Sequence, residues 1–191
     1  TEAWVILHAE PNARIYAGLK PGVDRAELER RSAEGTVAEC LHSFVPQRGD
    51  VIHIPAGTVH ASGGGIVMAE VQQTSDTTFR LYDYGRPREL HLDRALAVAR
   101  GAPYSARHRR SIADGPVLVD GPHFRLDRIE GAPDAVTRAA YPGALLALPL
   151  AGEIGASEGS ARAGAGECLY APAIDGIDFS RAGVTLLTRA V

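Results

Sequence analysis

The sequence predicts a mainly β protein built from short strands, and three observations carry that prediction. Turn formers are abundant, with 21 Gly and 12 Pro among 191 residues, and they bound apolar runs that are strand-sized. Hydrophobic content of 45% with 23% charged and 6% aromatic residues is ordinary globular composition, which excludes collagen-like, coiled-coil and disordered classes. Helical spacing is confined to two stretches, near 21–44 and 89–100. The length suits one large domain or two small ones and is ample for a hydrophobic core.

Taken in order, Ala3–Leu7 reads as a strand, and Pro11-Asn12 turns the chain into a second, Arg14–Leu19. Asp24 followed by Glu27 is a capping-box pattern. With Val23, Ala26, Leu28, Val37, Cys40, Leu41 and Phe44 it predicts a helical pair broken near Gly35. A turn at 46–50 precedes the buried strand Val51–Ile54, which ends at the sharp corner Pro55-Ala56-Gly57 with His60 starting the next strand. Ile66–Gln73 and Thr77–Asp83 read as two more strands, and Glu89–Arg100 carries helical spacing through Leu92, Ala95, Leu96 and Ala99. The first domain is therefore expected over 1–100.

From 101 to 114 the composition turns polar and basic, the signature of a linker. A second domain is expected over 115–191, with strands Val117–Val119, Phe124–Ile129, Ala144–Leu150, Glu167–Ala171 and Val184–Thr188 between Gly-rich turns. One internal echo relates the halves: Gly49-Asp50-Val51-Ile52-His53-Ile54-Pro55-Ala56 and Gly166-Glu167-Cys168-Leu169-Tyr170-Ala171-Pro172-Ala173 share the form G-[D/E]-x-[I/L]-x-x-P-A. His60 follows the first copy, while Ile174-Asp175-Gly176-Ile177-Asp178 follows the second without a metal ligand, so the second domain is expected to be metal-free.

A formal net charge of −3, from 20 Lys+Arg against 23 Asp+Glu, leaves no surplus for a polyanion, so nucleic acid is not expected as a partner. Cys40 and Cys168 stand far apart in no metal-binding spacing, which fits a reducing, cytoplasmic setting. The most apolar stretch, Ala144–Ala151, is far shorter than the ~20 residues of a spanning helix, so no membrane is expected. The chain opens on Thr1 and runs at once into strand-like sequence, which reads as a start inside a domain.

Two segments are dense in chemistry. Ile54-Pro55-Ala56-Gly57-Thr58-Val59-His60-Ala61 places a histidine where it would point into a barrel mouth; on spacing alone it reads either as a core or surface residue or as a metal ligand. In Met68–Asp83, Glu70, Gln72, Asp76 and Arg80 fall at even spacings, which would gather carboxylate, amide and guanidinium on one strand face. That face is either a site or a solvated edge. His53 alternates with Ile52 and Ile54 and reads equally as cavity lining or as bulk. His8, His42, His91, His108 and His123 read as surface, and Arg86 and Arg88 as a solvated turn.

The segments TEAW, IPAGTVHA, AEVQQTSDTTFRLYDYGR and PRELHLDRAL, in that order, resemble the type I mannose-6-phosphate isomerases. The resemblance covers the first hundred residues closely and the remainder weakly. It implies a cupin-type β-barrel, or jelly roll, with a small helical insertion at about 21–44, followed by a second, degenerate cupin-like domain. It further implies a zinc ion held by Glu2 and His60, with Arg80, Asp76 and Glu70 in the catalytic set. The family's Q-x-H ligand pair and the lysine before TE have no match, and on the order of a hundred upstream residues are expected to supply them, because a barrel needs its first strands to close. Such a piece is expected to be inactive alone.

The implied reaction interconverts mannose 6-phosphate and fructose 6-phosphate through a cis-enediol, with Arg80 stabilising the enediolate. Glu70 is the leading base, Asp76 or the upstream lysine the alternatives. A non-catalytic cupin that binds or senses sugar phosphates is the competing reading. A metal-cupin dioxygenase would need a close H-x-H, and neither it nor a cupin-type phosphoglucose isomerase accounts for the whole chain. The substrate is the one expected partner, and oligomeric state is left open.

Overall fold

Strand β1 (Glu2–Ala9) organises the first half of the molecule, because it is apolar on both faces and pairs on both edges. The computed structural model describes residues 1–75 and 77–191, and the chain divides into two units, Thr1–Ser111 and Ile112–Val191. In the first unit β1 pairs antiparallel with β4 (Asp50–Ile54) and β6 (Ile66–Gln72), and β7 (Arg109–Ser111) adds to β4, giving the sheet order β6-β1-β4-β7. A second sheet has β2 (Ile15–Leu19) between β3 (Leu41–Phe44) and β5 (His60–Ser62). Trp4, Ile6, Ile52 and Ile54 from the first sheet pack on Ile15 and Ala17 from the second, so the two sheets close face to face on one core.

Helix α1 (Arg25–Ala33) starts where the capping pattern places it, with the Glu27 backbone N–H donating to Asp24 Oδ1 at 2.8 Å. A 3₁₀ turn, Val37–Cys40, and helix α2 (Leu92–Val98) join it around Leu28, Val37, Cys40, Leu41 and Leu96. Two expectations fail here. Leu41–Phe44 is strand β3, not helix; its apolar i, i+3 spacing mimics a helix, but its backbone pairs with Ile15–Leu19. Thr77–Asp83 is not a strand either: Leu81 and Tyr82 instead anchor on the helical cluster. Of the stretch read as a linker, Ala106–His108 and β7 fold onto the first unit, where the Tyr104 hydroxyl lies within hydrogen-bond distance of the carbonyls of His53 and His108, its one proton serving either.

The second unit repeats the strand plan of the first. Strand β10 (Leu145–Pro149) lies between β13 (Leu169–Ala171) and β15 (Val184–Ala190) as β1 lies between β4 and β6, and β11 (Ile154–Ala156) lies between β12 (Arg162–Ala163) and β14 (Ile177–Asp178) as β2 lies between β3 and β5. The sequence echo is reproduced atom by atom. Gly49 (φ 89°) donates to Ile6 of β1, and Asp50 closes a turn on Gln47 through backbone and carboxylate; Gly166 (φ 86°) donates to Pro149 of β10, and Glu167 closes the same turn on Gly164. A positive φ at that position is what glycine supplies without strain. Strand β9 (Phe124–Glu130) pairs with the outer edge of β15 and β8 (Val117–Asp120) with β9, whereas the corresponding edge of β6 has no strand on it among the described residues. A short helix, α3 (Ala135–Ala140), precedes β10. No helix among the described residues is long and apolar enough to cross a membrane.

Candidate functional site

The Pro-Ala-Gly corner is held rigidly. Pro55 ends β4, Thr58 N–H closes a turn on its carbonyl at 3.1 Å, and Arg100 N–H donates to the Gly57 carbonyl at 2.8 Å. Gly57 has φ 82°, and a Cβ there would lie 2.7 Å from the Val98 carbonyl oxygen, so both conformation and contact demand glycine. This corner delivers His60 to the first position of β5, paired with Ala17. Glu2, at the start of β1, stands between Ile54 and Gln72 in the sheet. Its neighbour Thr1 is tied to the corner, its hydroxyl accepting from Ala56 N–H at 3.2 Å.

The two side chains meet. His60 Nδ1 lies 2.8 Å from the Thr58 carbonyl, which can only accept, so Nδ1 carries a proton and Nε2 is turned toward Glu2 Oε1 at 2.9 Å. The Trp4 ring meets the imidazole edge-on at 5.5 Å and fixes its plane. Glu2 Oε1 is nonetheless buried without an aligned hydrogen-bond donor. With Nδ1 protonated, neutral His60 would face that oxygen lone pair to lone pair, an arrangement that calls for a proton or a cation between them. Burial pushes the Glu2 carboxyl up, but His60 and Glu70 outweigh it and hold the group below the ordinary carboxylate range. Burial likewise pushes His60 down, and Glu2 with the Thr58 carbonyl outweighs it, so the imidazole sits above its ordinary value. Glu70, on β6 opposite Trp4, is raised by burial and then by the charge of Glu2.

These groups stand at a cavity of about 600 Å³, within the ordinary range of small-molecule sites. Glu2, His60, Gln72, Arg80, Tyr84 and Arg86 line it; Glu70 is beside Glu2 but is not part of the lining. Arg80 does not share a strand face with Glu70 as the even spacing predicted. It sits on the irregular segment, where its guanidinium donates to the Glu89 carbonyl at 3.1 Å and its backbone exchanges hydrogen bonds with His91, N–H to Nδ1 and carbonyl to N–H. Asp76 lies outside the described residues. His53 faces away from Ile52 and Ile54, with its Nε2 buried and its ring against His108 at 5.4 Å, so it does not line the cavity.

Sequence reading missed His91 and Asp83. His91 stands at the N-cap position of α2, and its ring accepts from Arg80 N–H; Asp83 is only 4% exposed and holds both Arg86 and Arg88. The signal for Asp83 was available: one carboxylate followed at +3 and +5 by arginines in a Gly-containing turn.

As a metal site the set is partial. Glu2 and His60 supply one oxygen and one nitrogen, the donor types of a catalytic zinc centre, which usually has three protein ligands. Among the described residues no group of three or more His, Cys, Asp or Glu is arranged to hold an ion. The register shows how different the second unit is at the same place. Following the strand pairings, Glu2, His60 and Glu70 correspond to Leu145, Ile177 and Leu187, all buried in one apolar core.

No family model matches the chain. Among curated proteins it is 39% identical over 114 residues to the mannose-6-phosphate isomerase ManA of Bacillus subtilis, covering 56% of this chain and 36% of that protein. It is 34% identical over 165 residues to the mannose-6-phosphate isomerase of Streptococcus mutans, covering 80% of this chain and 51% of that protein. The chain thus spans about half the length, or less, of the curated relatives it matches. Among solved structures, the mannose 6-phosphate isomerase from Bacillus subtilis superposes with a TM-score of 0.70 at 23% identity, covering 99% of this chain and 64% of that one. That likeness shows the mainly β, cupin-type fold. By sequence similarity over four fifths of its length and by this shared fold, the chain is similar to mannose-6-phosphate isomerases.

Proposed function

We propose that the full-length protein containing this chain is a metal-dependent aldose–ketose isomerase that interconverts mannose 6-phosphate and fructose 6-phosphate. The observation that carries the reading is the Glu2–His60 contact at the cavity, with Nε2 2.9 Å from a carboxylate oxygen. Glu2 and His60 would hold a zinc ion together with ligands outside this chain, and the ion would supply Lewis-acid polarisation of the sugar oxygens.

The remaining chemistry falls to the chain. Isomerisation moves the proton on C2 to C1 and the proton on O2 to O1, through an enediol with negative charge developing on oxygen. Arg80, a guanidinium lining the cavity, suits the stabilisation of that charge. Glu70 suits the base, because burial and the neighbouring Glu2 raise its affinity for a proton above that of an ordinary carboxyl. Asp76 is the alternative base. Trp4 and the Thr58 carbonyl orient His60, and His91 positions Arg80. The second unit, whose corresponding positions are Leu145, Ile177 and Leu187, acts as a metal-free structural domain. Cys40 and Cys168 are free thiols, and Cys168 is exposed, which supports a reducing compartment such as the cytoplasm.

The test is a coupled assay of mannose 6-phosphate isomerisation by the full-length protein, before and after chelation and after zinc is restored. Activity lost to chelator and regained with zinc supports the reading. Absence of turnover by a folded, zinc-loaded protein rejects it in favour of a sugar-phosphate-binding cupin.

A further inference from the structure

The turn 83–88 is exposed except at Asp83, which anchors it. Asp83 is 4% exposed, yet it accepts from two guanidiniums at once: Arg86 through Nη2 at 2.6 Å, and Arg88 through Nε and Nη2, each at 2.5 Å. Arg86 Nε also donates to the Asp83 carbonyl at 3.2 Å. Two cations on one carboxylate leave the cluster with a net positive charge. The nearby Arg88 guanidinium, foremost among the influences, holds the Asp83 carboxyl well below the usual range, so the brace stays charged at neutral pH.

The brace fixes only one edge of Arg86. Its side chain is 58% exposed and lines the cavity, and its hydrogen bonds to Asp83 use Nε and Nη2, so Nη1 and the outer N–H of Nη2 face away from that carboxylate. The backbone leading into it is itself unusual. Tyr84 has φ 53°, a left-handed conformation that a bulky side chain rarely adopts, and its ring lies 5.0 Å from Tyr82 and 5.8 Å from the Arg86 Cζ. Such strain in a turn beside a cavity is a feature found at ligand clamps. A guanidinium held rigid by a buried carboxylate is also pre-organised, losing less side-chain freedom when it binds an oxyanion.

We infer that Arg86, braced by Asp83 and Arg88, is the group that binds the phosphate of the sugar-phosphate substrate at the cavity rim. The inference rests on the proposed isomerase reading for the identity of the substrate, and its chemistry is bidentate guanidinium recognition of a phosphate dianion. Arg86 is thereby a binding residue, Asp83 a positioning one, and Arg80 is left for the reacting end of the sugar.

The experiment uses the full-length, zinc-loaded protein and inorganic phosphate as a competitive probe. Arg86→Ala is expected to raise both KM for mannose 6-phosphate and Ki for phosphate by tenfold or more, by a similar factor, with kcat changed less than threefold. Arg86→Lys should recover only part of the loss, since a point charge replaces a fork. Asp83→Asn should raise the same two constants with little effect on kcat. Unchanged KM and Ki in a folded Arg86→Ala protein overturn the inference while leaving the isomerase standing. A fall in kcat alone also overturns it, because that is the mark of a misplaced reacting centre. If the parent protein shows no turnover, phosphate binding followed by ³¹P NMR decides separately: loss of binding in Arg86→Ala supports the clamp, and unaltered binding rejects it.

Discussion

Leu187→Glu installs in the second unit the residue type that the first unit carries at the same register position, and it should be among the costliest single changes in the chain. Leu187 is 0% exposed, packed in one core with Leu145, Ala147, Ile177 and Phe179. Losing its burial forfeits about 1.5–3 kcal/mol. The carboxylate that replaces it enters that core beside its cross-strand neighbour on β9, the buried Asp127, whose one cation, Arg125, is already engaged with it at 2.9 Å. Burying an unpaired charge adds several kcal/mol more, so a total loss of roughly 4 kcal/mol or above is expected. The introduced group would have a folded pKa raised above its unfolded value of about 4.3, so stability should be best at acid pH and fall as pH rises through the folded pKa. The reciprocal change, Glu70→Leu, places a leucine at an exposed position and removes like-charge repulsion with Glu2, so it should be worth within ~1 kcal/mol of nothing. Urea unfolding of both variants, read by near-UV circular dichroism at pH 5 and pH 8, gives the comparison. A loss under ~1 kcal/mol for Leu187→Glu, or equal losses for the two, would refute the register correspondence.

Four further outcomes follow from the same geometry. In the full-length protein Arg80→Ala should lower kcat by about two to three decades, the scale of one lost preorganised donor, and unchanged turnover would remove Arg80 from the chemistry. His60→Gln should weaken zinc binding by at least tenfold in equilibrium dialysis, and wild-type affinity would deny it a ligand role. Gly57→Ala, with its Cβ forced to 2.7 Å from the Val98 carbonyl, should cost about 1–3 kcal/mol and lower the melting temperature, whereas an unchanged melt would mean that the corner yields freely. Tyr141→Phe removes the hydroxyl that donates to the Leu187 carbonyl at 2.8 Å in a residue 1% exposed, so a loss of about 1 kcal/mol is expected in thermal melts, and a stabilised variant would contradict it.

What the sequence disclosed depended on whether a signal was local. Strands β1, β4, β6, β9 and β15 were legible because each is an apolar run between turns, and α1 because Asp24 caps it. Strand β3 was not, because Leu41 and Phe44 satisfy a helical period and only the pairing with β2 decides otherwise. Thr77–Asp83 failed for a related reason. Its alternation is real, but Leu81 and Tyr82 are committed to the helical cluster, a tertiary preference that outranks β propensity. Within the site, Glu2 and His60 were singled out through motifs, and the structure places them 2.9 Å apart. The role of His91 was hidden, since it acts through its ring nitrogen on the backbone of Arg80, eleven residues away.

The repeat gives the site a physical rationale. Both units build the same sandwich from the same turn, Gly49-Asp50 in one and Gly166-Glu167 in the other, so the backbone alone does not make a site. What differs is the set of side chains at three equivalent positions. Leucine, isoleucine and leucine fill the interior of the second unit; in the first unit the same positions hold glutamate, histidine and glutamate, with Glu2 mostly buried while His60 and Glu70 reach the surface. The hydrocarbon set is the one that packing favours. Any cation that binds Glu2 and His60 in the folded state and not in the unfolded one adds stability by mass action. Zinc should accordingly raise the unfolding midpoint of the full-length protein, and His60→Gln should abolish that increment while leaving the zinc-free midpoint nearly unchanged. An equal midpoint shift in wild type and variant would mean that the polar set has another purpose.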